Sequence, residues 1–203
     1  MSRRLVVLAS GSGTNLQALI DATRTGRLDA SIEAVIVNRH DAGARDRARL
    51  AGIVDEYCPL APFRERHPDR REARVAYDTA LADTVAVHDP DAVVLAGWMH
   101  LFTAAFLDRF SGRVVNLHPA LPGAFPGAHA IDDAWQAHRR DGLDHTGVMV
   151  HLVPDEGVDS GPVLASEVVP ILPTDTRATL EARIHGVEHD LLVATLADVL
   201  AAS

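Results

Sequence analysis

The sequence lacks the features that mark secreted, membrane-embedded and nucleic-acid-binding proteins. Among 203 residues it has one cysteine, Cys58, so no internal disulfide can form, which suits a reducing cytoplasm. No apolar run approaches the ~20 residues of a membrane-spanning helix, and the run at residues 5–9 is too short for a signal peptide. The net charge of −9 gives no general attraction for nucleic acid or anionic lipid. We therefore expect a cytoplasmic protein without nucleic-acid or membrane partners, in which any anionic substrate needs a local positive site.

An ordinary globular composition and a regular order of short apolar runs indicate the fold class. Hydrophobic residues make up 47% of the chain and charged residues 23%, so one domain can bury a sheet on both faces. Strands are expected at residues 5–9, 32–37, 54–57, 92–96, 114–117, 148–152 and 162–169. Helices are expected at residues 15–25, 42–51, 70–87, 103–110, 131–140 and 174–201.

This order of elements predicts an α/β fold. The early alternation of strands and helices is typical of a doubly wound, mostly parallel sheet with helices on both faces. We expect a single domain spanning residues 1–203, because neither a linker nor a repeat interrupts the pattern. In such folds the site lies at the carboxyl ends of the strands.

A glycine-rich turn, Ser-Gly-Ser-Gly-Thr-Asn at residues 10–15, joins the first strand to the first helix. Glycine permits a sharp turn, and the free N–H groups at the start of the helix then bind a phosphate. A tight turn with an asparagine cap is the plainer interpretation. A dinucleotide is disfavoured, because Leu16 stands where its motif has a third glycine and Asn38 replaces the expected acid. The candidate phosphate ligands are Gly13, Thr14 and Asn15.

A second polar feature, Asn116 and His118, lies where a later strand ends at Pro119. Alternate residues of a strand face the same side, so the two side chains are expected to lie together. An amide and an imidazole at the edge of a sheet suit acyl transfer, in which one stabilises a developing oxyanion and the other donates or shuttles a proton. A capping asparagine beside an ordinary surface histidine is the alternative, and these residues alone leave it open.

Three acidic residues, Asp155, Glu156 and Asp159, lie in the polar loop between the last two strands. Acidic loop residues are usually solvated, but one that lay beside His118 would favour the charged form of the imidazole. The sequence does not say which of the three lies there.

The 11 histidines of the chain raise the question of a bound metal. His145 and His151 are six residues apart and could share a strand face, but no third ligand stands at a fitting spacing. We therefore expect no metal cofactor.

Several segments, taken in order, resemble one known family. They are residues 8–18 with the glycine-rich turn, residues 93–99 with Gly-Trp-Met, residues 116–119 with Asn-Leu-His-Pro, residues 125–127 with Phe-Pro-Gly, residues 146–151, and residues 155–162 with Asp-Ser-Gly-Pro. The Asn-x-His-Pro and Asp-x-Gly-Pro segments are similar to those of folate-dependent formyl-group enzymes. The first turn narrows the resemblance to the phosphoribosylglycinamide formyltransferase family, over nearly the full chain.

The resemblance implies an activity and a set of partners. The formyl group of 10-formyltetrahydrofolate, the cosubstrate, would pass to the amine of 5-phosphoribosylglycinamide, a step of purine biosynthesis. The partners would be small molecules, and the enzyme would be a monomer or a homodimer.

The resemblance also implies roles for particular residues. Asn116 would bind the formyl oxygen, and His118 would donate a proton while Asp159 keeps it charged. The ribose of the substrate would contact Glu188 on the last helix. The phosphate of the same ribonucleotide substrate would be held by Gly13, Thr14 and Asn15.

The folate pocket that the resemblance implies draws on three parts of the chain. Arg74 would meet the glutamate tail of the folate. The other residues implied to line the pocket are Met99, His100, Leu101, Phe102, Asn116 and Val158, with the loop at residues 154–159.

Two departures from the family pattern affect these expectations. Family members often carry an arginine at the position of His100, so the carboxylates of the tail would be held less firmly, or only below neutral pH. Residues 120–123 read Ala-Leu-Pro-Gly in place of the usual Ser-Leu-Leu-Pro, which leaves the shape of that loop open.

Three other functions remain open at this point. Formyltetrahydrofolate deformylase passes the formyl group to water, but usually carries an additional amino-terminal domain. Methionyl-tRNA formyltransferase carries an additional carboxyl-terminal domain and basic surface for RNA, which 203 residues with a net charge of −9 are not expected to supply. A non-catalytic module that senses a phosphorylated ligand would share the turn but not the chemistry.

Overall fold

One seven-stranded sheet organises the computed structural model, which describes residues 2–202. The strands are β1 (Arg3–Ala9), β2 (Ala30–Val37), β3 (Val54–Tyr57), β4 (Ala92–Leu95), β5 (Val114–His118), β6 (His145–Leu152) and β7 (Val163–Pro170). They lie in the order β3-β2-β1-β4-β5-β6-β7. The strands from β1 to β5 pair in parallel, whereas β6 and β7 are antiparallel to their neighbours. The mostly parallel sheet expected from the sequence is confirmed.

Helices cover both faces of this sheet. They are α1 (Thr14–Arg24), α2 (Gly43–Ala51), α3 (Ala61–Arg66), α4 (Arg70–Ala86), α5 (Ala104–Leu107), α6 (Ala130–Asp141) and α7 (Arg177–Ala202). A single turn of 3-10 helix, Asp108–Phe110, follows α5. Within residues 2–202, no helix is long and apolar enough to span a bilayer.

The two faces of the sheet bury separate apolar cores, because successive side chains of a strand point to opposite sides. On β1, Leu5 and Val7 pack with side chains of α1 and α7, whereas Val6 and Leu8 pack with side chains of α4 and α5. All four of these β1 side chains are fully buried. The continuous apolar run of β1 therefore reflects burial on both faces.

Three elements differ from the sequence-based expectation. Helix α3 was not expected, because it has six residues, a proline in its first turn and no buried side chain to give an apolar period. The helix expected at residues 103–110 is instead the short α5 followed by the 3-10 turn. Strand β6 begins at His145, three residues before the expected start, because His145 already pairs with Pro170 on β7.

The order of the strands opens a crevice beyond the carboxyl ends of β1 and β4. The chain leaving β1 returns to β2 on one side, and β4 lies on the other, so the connections diverge there. Ser10 joins the two strand ends: its N–H donates to the Gly97 carbonyl at 3.0 Å, and its Oγ accepts from the Met99 N–H at 3.0 Å. This junction forms the floor of the candidate site.

Candidate active site

Asp159 lies between the two polar side chains that end β5. Its Oδ1 accepts a hydrogen bond from Nδ2 of Asn116 at 3.2 Å, and its Oδ2 lies 3.4 Å from Nδ1 of His118. The structure thus brings Asn116, His118 and Asp159 together, and of the three acidic residues in the loop it is Asp159 that contacts His118.

The ring of His118 is buried, with 3% of its surface exposed. Its Nε2 lies 3.0 Å from the carbonyl oxygen of Phe125, which can only accept a hydrogen bond, so Nε2 carries a proton. Its Nδ1 faces the carboxylate of Asp159. Both ring nitrogens thus face oxygen atoms that accept hydrogen bonds.

Asp159 is held in place by the backbone as well as by side chains. It has a φ of +48°, in the left-handed region, and its Oδ2 accepts from the Gly127 N–H at 2.8 Å. Burial raises the pKa of this carboxyl, but contacts with His151, Gly127 and charged His118 outweigh burial and hold it below the ordinary value. Asp159 is therefore an anion at neutral pH, in a backbone conformation that sets its direction.

His151 is a further member of this cluster. From the sequence it was predicted only as a possible metal ligand. On β6 it pairs directly with Asn116, and its Nε2 lies 3.0 Å from Nδ2 of Asn116. The Nδ1 of His151 donates to the Leu152 carbonyl at 2.8 Å. A neutral His151 ring then accepts from the Asn116 amide at Nε2, whereas a doubly protonated ring donates from Nε2 toward Oδ1 of Asp159, 3.5 Å away. In either case the Asn116 amide donates to Asp159 in the free protein, and it must redirect a hydrogen to bind a substrate oxygen.

A cavity of about 500 Å³ opens beside this cluster. It reaches from the glycine-rich turn, past the ends of β4 and β5, to α7 and the loop at residues 153–159. One wall is apolar, and Met99 and Leu101 expose 57% and 58% of their surface there although both are large hydrophobic residues. The residues of the implied folate pocket that line this cavity are Met99, His100, Leu101, Phe102, Asn116 and Val158.

His100 lies at the position where the resemblance leads us to expect an arginine, and it differs from an arginine in charge. Its ring packs edge-on against Tyr77 and Trp98, with centroids 5.8 and 5.6 Å away. Burial, together with the positive charges of Arg74 and Arg64, lowers the pKa of His100 to about 4. His100 is therefore an uncharged aromatic side chain at neutral and mildly acidic pH. It supplies no positive charge to an anion bound in the cavity.

Arg74 lies outside the main cavity and lines an adjoining pocket. Its Nε is 3.3 Å from Oδ1 of Asp78, a fully buried carboxylate whose Oδ2 accepts from the Thr103 N–H at 2.6 Å. Asp78 therefore orients the guanidinium group of Arg74 and holds the backbone at Thr103, which directly follows the apolar wall.

The glycine-rich turn sits at one end of the main cavity. Gly13 is the N-cap of α1 with a φ of +75°, and the residues of the turn line the cavity. A Cβ added to Gly13 would lie 2.7 Å from the Cα of Ala44, so α2, rather than a ligand, excludes a side chain there. Asn15 has a buried Oδ1 without a hydrogen-bond partner, and Arg39 also lines this end. Arg39 was not predicted as a site residue, because a single arginine shortly after a strand forms no recognisable sequence motif.

Glu188 lines the cavity from α7 and is buried, with 4% of its surface exposed. Its Oε2 lies 2.6 Å from Nδ1 of His185. The hydrogen bond to Glu188 raises the pKa of His185 more than burial lowers it. His185 was not expected from the sequence, although a spacing of three residues on a helix places both side chains on one face.

Within residues 2–202, no group of three or more His, Cys, Asp or Glu side chains is arranged to hold a metal ion. His145 and His151 do not converge: His145 is exposed at the start of β6, and His151 is buried near its end.

Comparisons with known proteins identify the family of this chain. The family model described as formyl transferase matches residues 3–196. Phosphoribosylglycinamide formyltransferase of Schizosaccharomyces pombe is 42% identical over 98% of both chains, and that of Dictyostelium discoideum is 40% identical over 97% of both. The crystal structure of glycinamide ribonucleotide transformylase 1 from Geobacillus kaustophilus superposes with a TM-score of 0.87 at 38% identity, covering 98% of this chain and 100% of that one. The chain therefore belongs to the formyl transferase family, among its phosphoribosylglycinamide formyltransferases.

Proposed function

We propose that this protein transfers the formyl group of 10-formyltetrahydrofolate to the amine of 5-phosphoribosylglycinamide. The products would be formylglycinamide ribonucleotide and tetrahydrofolate. The observation that carries the proposal is the convergence of Asn116, His118 and Asp159 in a cavity with a glycine-rich helix start at one end and an apolar wall beside it.

The ribonucleotide is assigned to the end of the cavity at α1. Its phosphate lies against Gly13, Thr14 and Asn15, where the free N–H groups and the positive end of the helix dipole favour an anion. The carboxylate of Glu188 accepts hydrogen bonds from the ribose hydroxyls. This placement brings the substrate amine toward the end of β5.

The folate cosubstrate is assigned to the apolar wall. Met99 and Leu101 are exposed in the free protein, and covering them with a flat ring system removes apolar surface from water. Phe102 is buried behind that wall, and Val158 lies on the loop at the cavity edge. Arg74 receives the glutamate carboxylate at the entrance of the adjoining pocket.

Asn116 and His118 act on the charge that develops during transfer. When the amine attacks the formyl carbon, negative charge appears on the formyl oxygen, and the Asn116 amide donates to it after leaving Asp159 or His151. Charged His118 stabilises the same oxygen once one ring N–H turns from the Phe125 carbonyl or from Asp159, and a proton given to the oxygen returns to the ring when the intermediate breaks down. Asp159 holds His118 in its charged form, and burial of the cluster strengthens each of these interactions. The proton of the amine then reaches the departing folate nitrogen through water.

An assay with three arms tests the proposal. Purified protein receives both substrates, 10-formyltetrahydrofolate alone, or neither, and free tetrahydrofolate is measured. Release only when both are present supports the transferase. Equal release from formylfolate alone would identify a deformylase, and no release despite binding of the ribonucleotide would identify a non-catalytic module.

The proposal needs no metal, and it treats residues 1–203 as one formyltransferase domain in the cytoplasm, as a monomer or homodimer. Dialysis against a chelator is expected to leave the rate of transfer unchanged. A loss of rate that Mg²⁺ or Zn²⁺ restores would overturn this part of the proposal.

A further inference from the structure

The loop at residues 119–129, which leads from β5 to α6, contacts two side chains of the candidate active site. The Phe125 carbonyl lies 3.0 Å from Nε2 of His118, and the Gly127 N–H donates to Oδ2 of Asp159 at 2.8 Å. Phe125 has a φ of +44°, in the left-handed region, which costs free energy in a residue other than glycine. The surrounding structure must therefore hold this loop in its conformation.

Burial alone anchors this part of the chain weakly. Several residues of the loop are exposed to solvent, namely Pro122, Gly123, Pro126, Ala128 and His129. Helix α6, into which the loop leads, is also thinly packed. Among residues 130–141, all of which the structure describes, only Ala130 and Ala134 are buried. We therefore expect polar contacts of α6 to contribute to the position of the loop.

Arg177, the first residue of α7, makes such a contact. Its Nε donates to Oδ1 of Asp132 in the first turn of α6, and its Nη1 donates to Oε2 of Glu181 at 2.8 Å. The hydrogen bond from Arg177 lowers the pKa of Asp132, so this carboxyl group is charged at neutral pH. Helix α7 is well anchored, because Leu180 and Ile184 are fully buried. Arg177 thus joins a thinly packed helix to a firmly packed one.

The two helix dipoles favour the same pairing. The positive end of the α6 dipole stabilises the carboxylate of Asp132. The start of α7 disfavours a cation, and the contacts of Arg177 with Asp132 and Glu181 offset that cost. Arg177 and Asp132 both line the main cavity, and their side chains expose 42% and 43% of their surface. Such exposure makes the ion pair a modest interaction, which limits the effects expected below.

We propose that Arg177 is a positioning residue for formyl transfer; this inference rests on the proposed function. Through Asp132 it holds the start of α6, and α6 in turn holds the loop at residues 119–129 against His118 and Asp159. The active-site side chains are then oriented before the substrates react, and their orientation contributes to the rate.

Hydrogen exchange at the Gly127 amide and kcat of transfer together test this role. Asp132→Asn removes the ion pair but leaves Arg177 its contact with Glu181. An exposed ion pair shifts an equilibrium by about 1.4- to 5-fold, so exchange at Gly127 should quicken by about 3-fold. The value of kcat should fall by about 1.5- to 3-fold. The KM for the folate should stay nearly unchanged, because no contact with the cosubstrate is removed.

Further variants show whether the two residues act together. Arg177→Gln should reproduce the effects of Asp132→Asn, and the double variant should be no slower than Arg177→Gln alone. Arg177→Lys keeps the charge and should retain most of kcat. Arg140→Gln is the matched control, because Arg140 forms an ion pair with Asp141 at 2.7 Å in the last turn of α6, away from the cavity. It should leave both the exchange rate and kcat unchanged.

The outcomes separate this inference from the proposed function. Faster exchange at Gly127 with an unchanged kcat would reduce the ion pair to a structural contact and overturn its role in transfer. A lower kcat with unchanged exchange would overturn the path through the loop, as would additive losses in the double variant or an equal loss in Arg140→Gln. A wild-type protein that transfers no formyl group would overturn the proposed function, and the role in transfer with it.

Discussion

The carboxylate of Asp159 contacts His118 with one oxygen and Asn116 with the other: Oδ2 lies 3.4 Å from Nδ1 of the ring, and Oδ1 lies 3.2 Å from Nδ2 of the amide. One loop residue thus orients both polar side chains of β5. Substitution by asparagine keeps the size of the side chain, but it removes the charge and turns one of the two acceptor oxygens into a donor.

Asp159→Asn should lower kcat at pH 7–8 and leave a partial recovery toward lower pH. The carboxylate beside the His118 ring is lost, and a histidine without such a partner becomes mostly protonated only below pH ~6.5. The pH profile of kcat checks this, and Asp155→Asn is the control from the same loop. An NMR titration of the His118 ring identifies the cause: superimposable curves for wild type and Asp159→Asn would mean that Asp159 is not the partner.

His118→Ala should abolish most turnover while leaving ribonucleotide affinity within a few-fold. The ring meets charge that exists mainly in the transition state, so its loss appears in kcat. Asn116→Ala should lower kcat by roughly 10²–10³-fold, the usual effect of losing an oxyanion donor. His145→Ala, an exposed histidine of β6 outside the cavity, is the control. An unchanged kcat in His118→Ala would remove that residue from the mechanism.

Gly11→Val should weaken ribonucleotide binding far more than folate binding. A Cβ at Gly11 has nothing within 4 Å in the free protein, so the fold tolerates it, but it occupies space at the phosphate end of the cavity. Gly13→Val is expected to lower the melting temperature instead, because its side chain meets the backbone of Ala44 and its φ is positive. Titration of both variants with each substrate distinguishes the cases, and equal losses for both substrates in Gly11→Val would make the turn purely structural.

Glu188→Gln should weaken ribonucleotide binding and also change how stability depends on pH. The hydrogen bond to Glu188 raises the pKa of His185. A raised pKa stabilises the folded protein fully below the unfolded value of about 6.5, and that stabilisation is lost as pH rises through the folded value. The melting temperature of the variant should therefore fall furthest behind wild type below pH ~6.5. Asp198→Asn, an exposed acid on the same helix, is the control, and a difference independent of pH would contradict the pairing.

The sequence was sufficient to predict those features of the fold and the site that depend on a local rule. The period of two places Asn116 and His118 on one side of β5, and continuous apolar runs predict strands buried on both faces. The choice of Asp159 over Asp155 or Glu156 depends on the path of a loop, so it came from the family resemblance of the Asp-Ser-Gly-Pro segment and not from a local rule. The contact of His151 with Asn116 depends on the register of an antiparallel pair, and the lowered pKa of His100 depends on burial against distant rings.

Gly13 offers a second instance of that limit. A glycine in a phosphate-binding turn is easily explained by the ligand, but here the reason is the close approach of α2, which only the packed structure reveals.

The contact between α2 and the glycine-rich turn has a consequence for the cost of binding. The Gly11 carbonyl accepts from the Ala44 N–H at 3.2 Å, and the Ser12 carbonyl accepts from Nε of Arg47 at 2.8 Å. With Gly13 packed against Ala44, the three central residues of the turn, 11–13, are anchored to α2 before any ligand arrives. Little backbone freedom is then left for the ribonucleotide to restrict, so the free energy of its contacts is retained as affinity and is not consumed in ordering a loop.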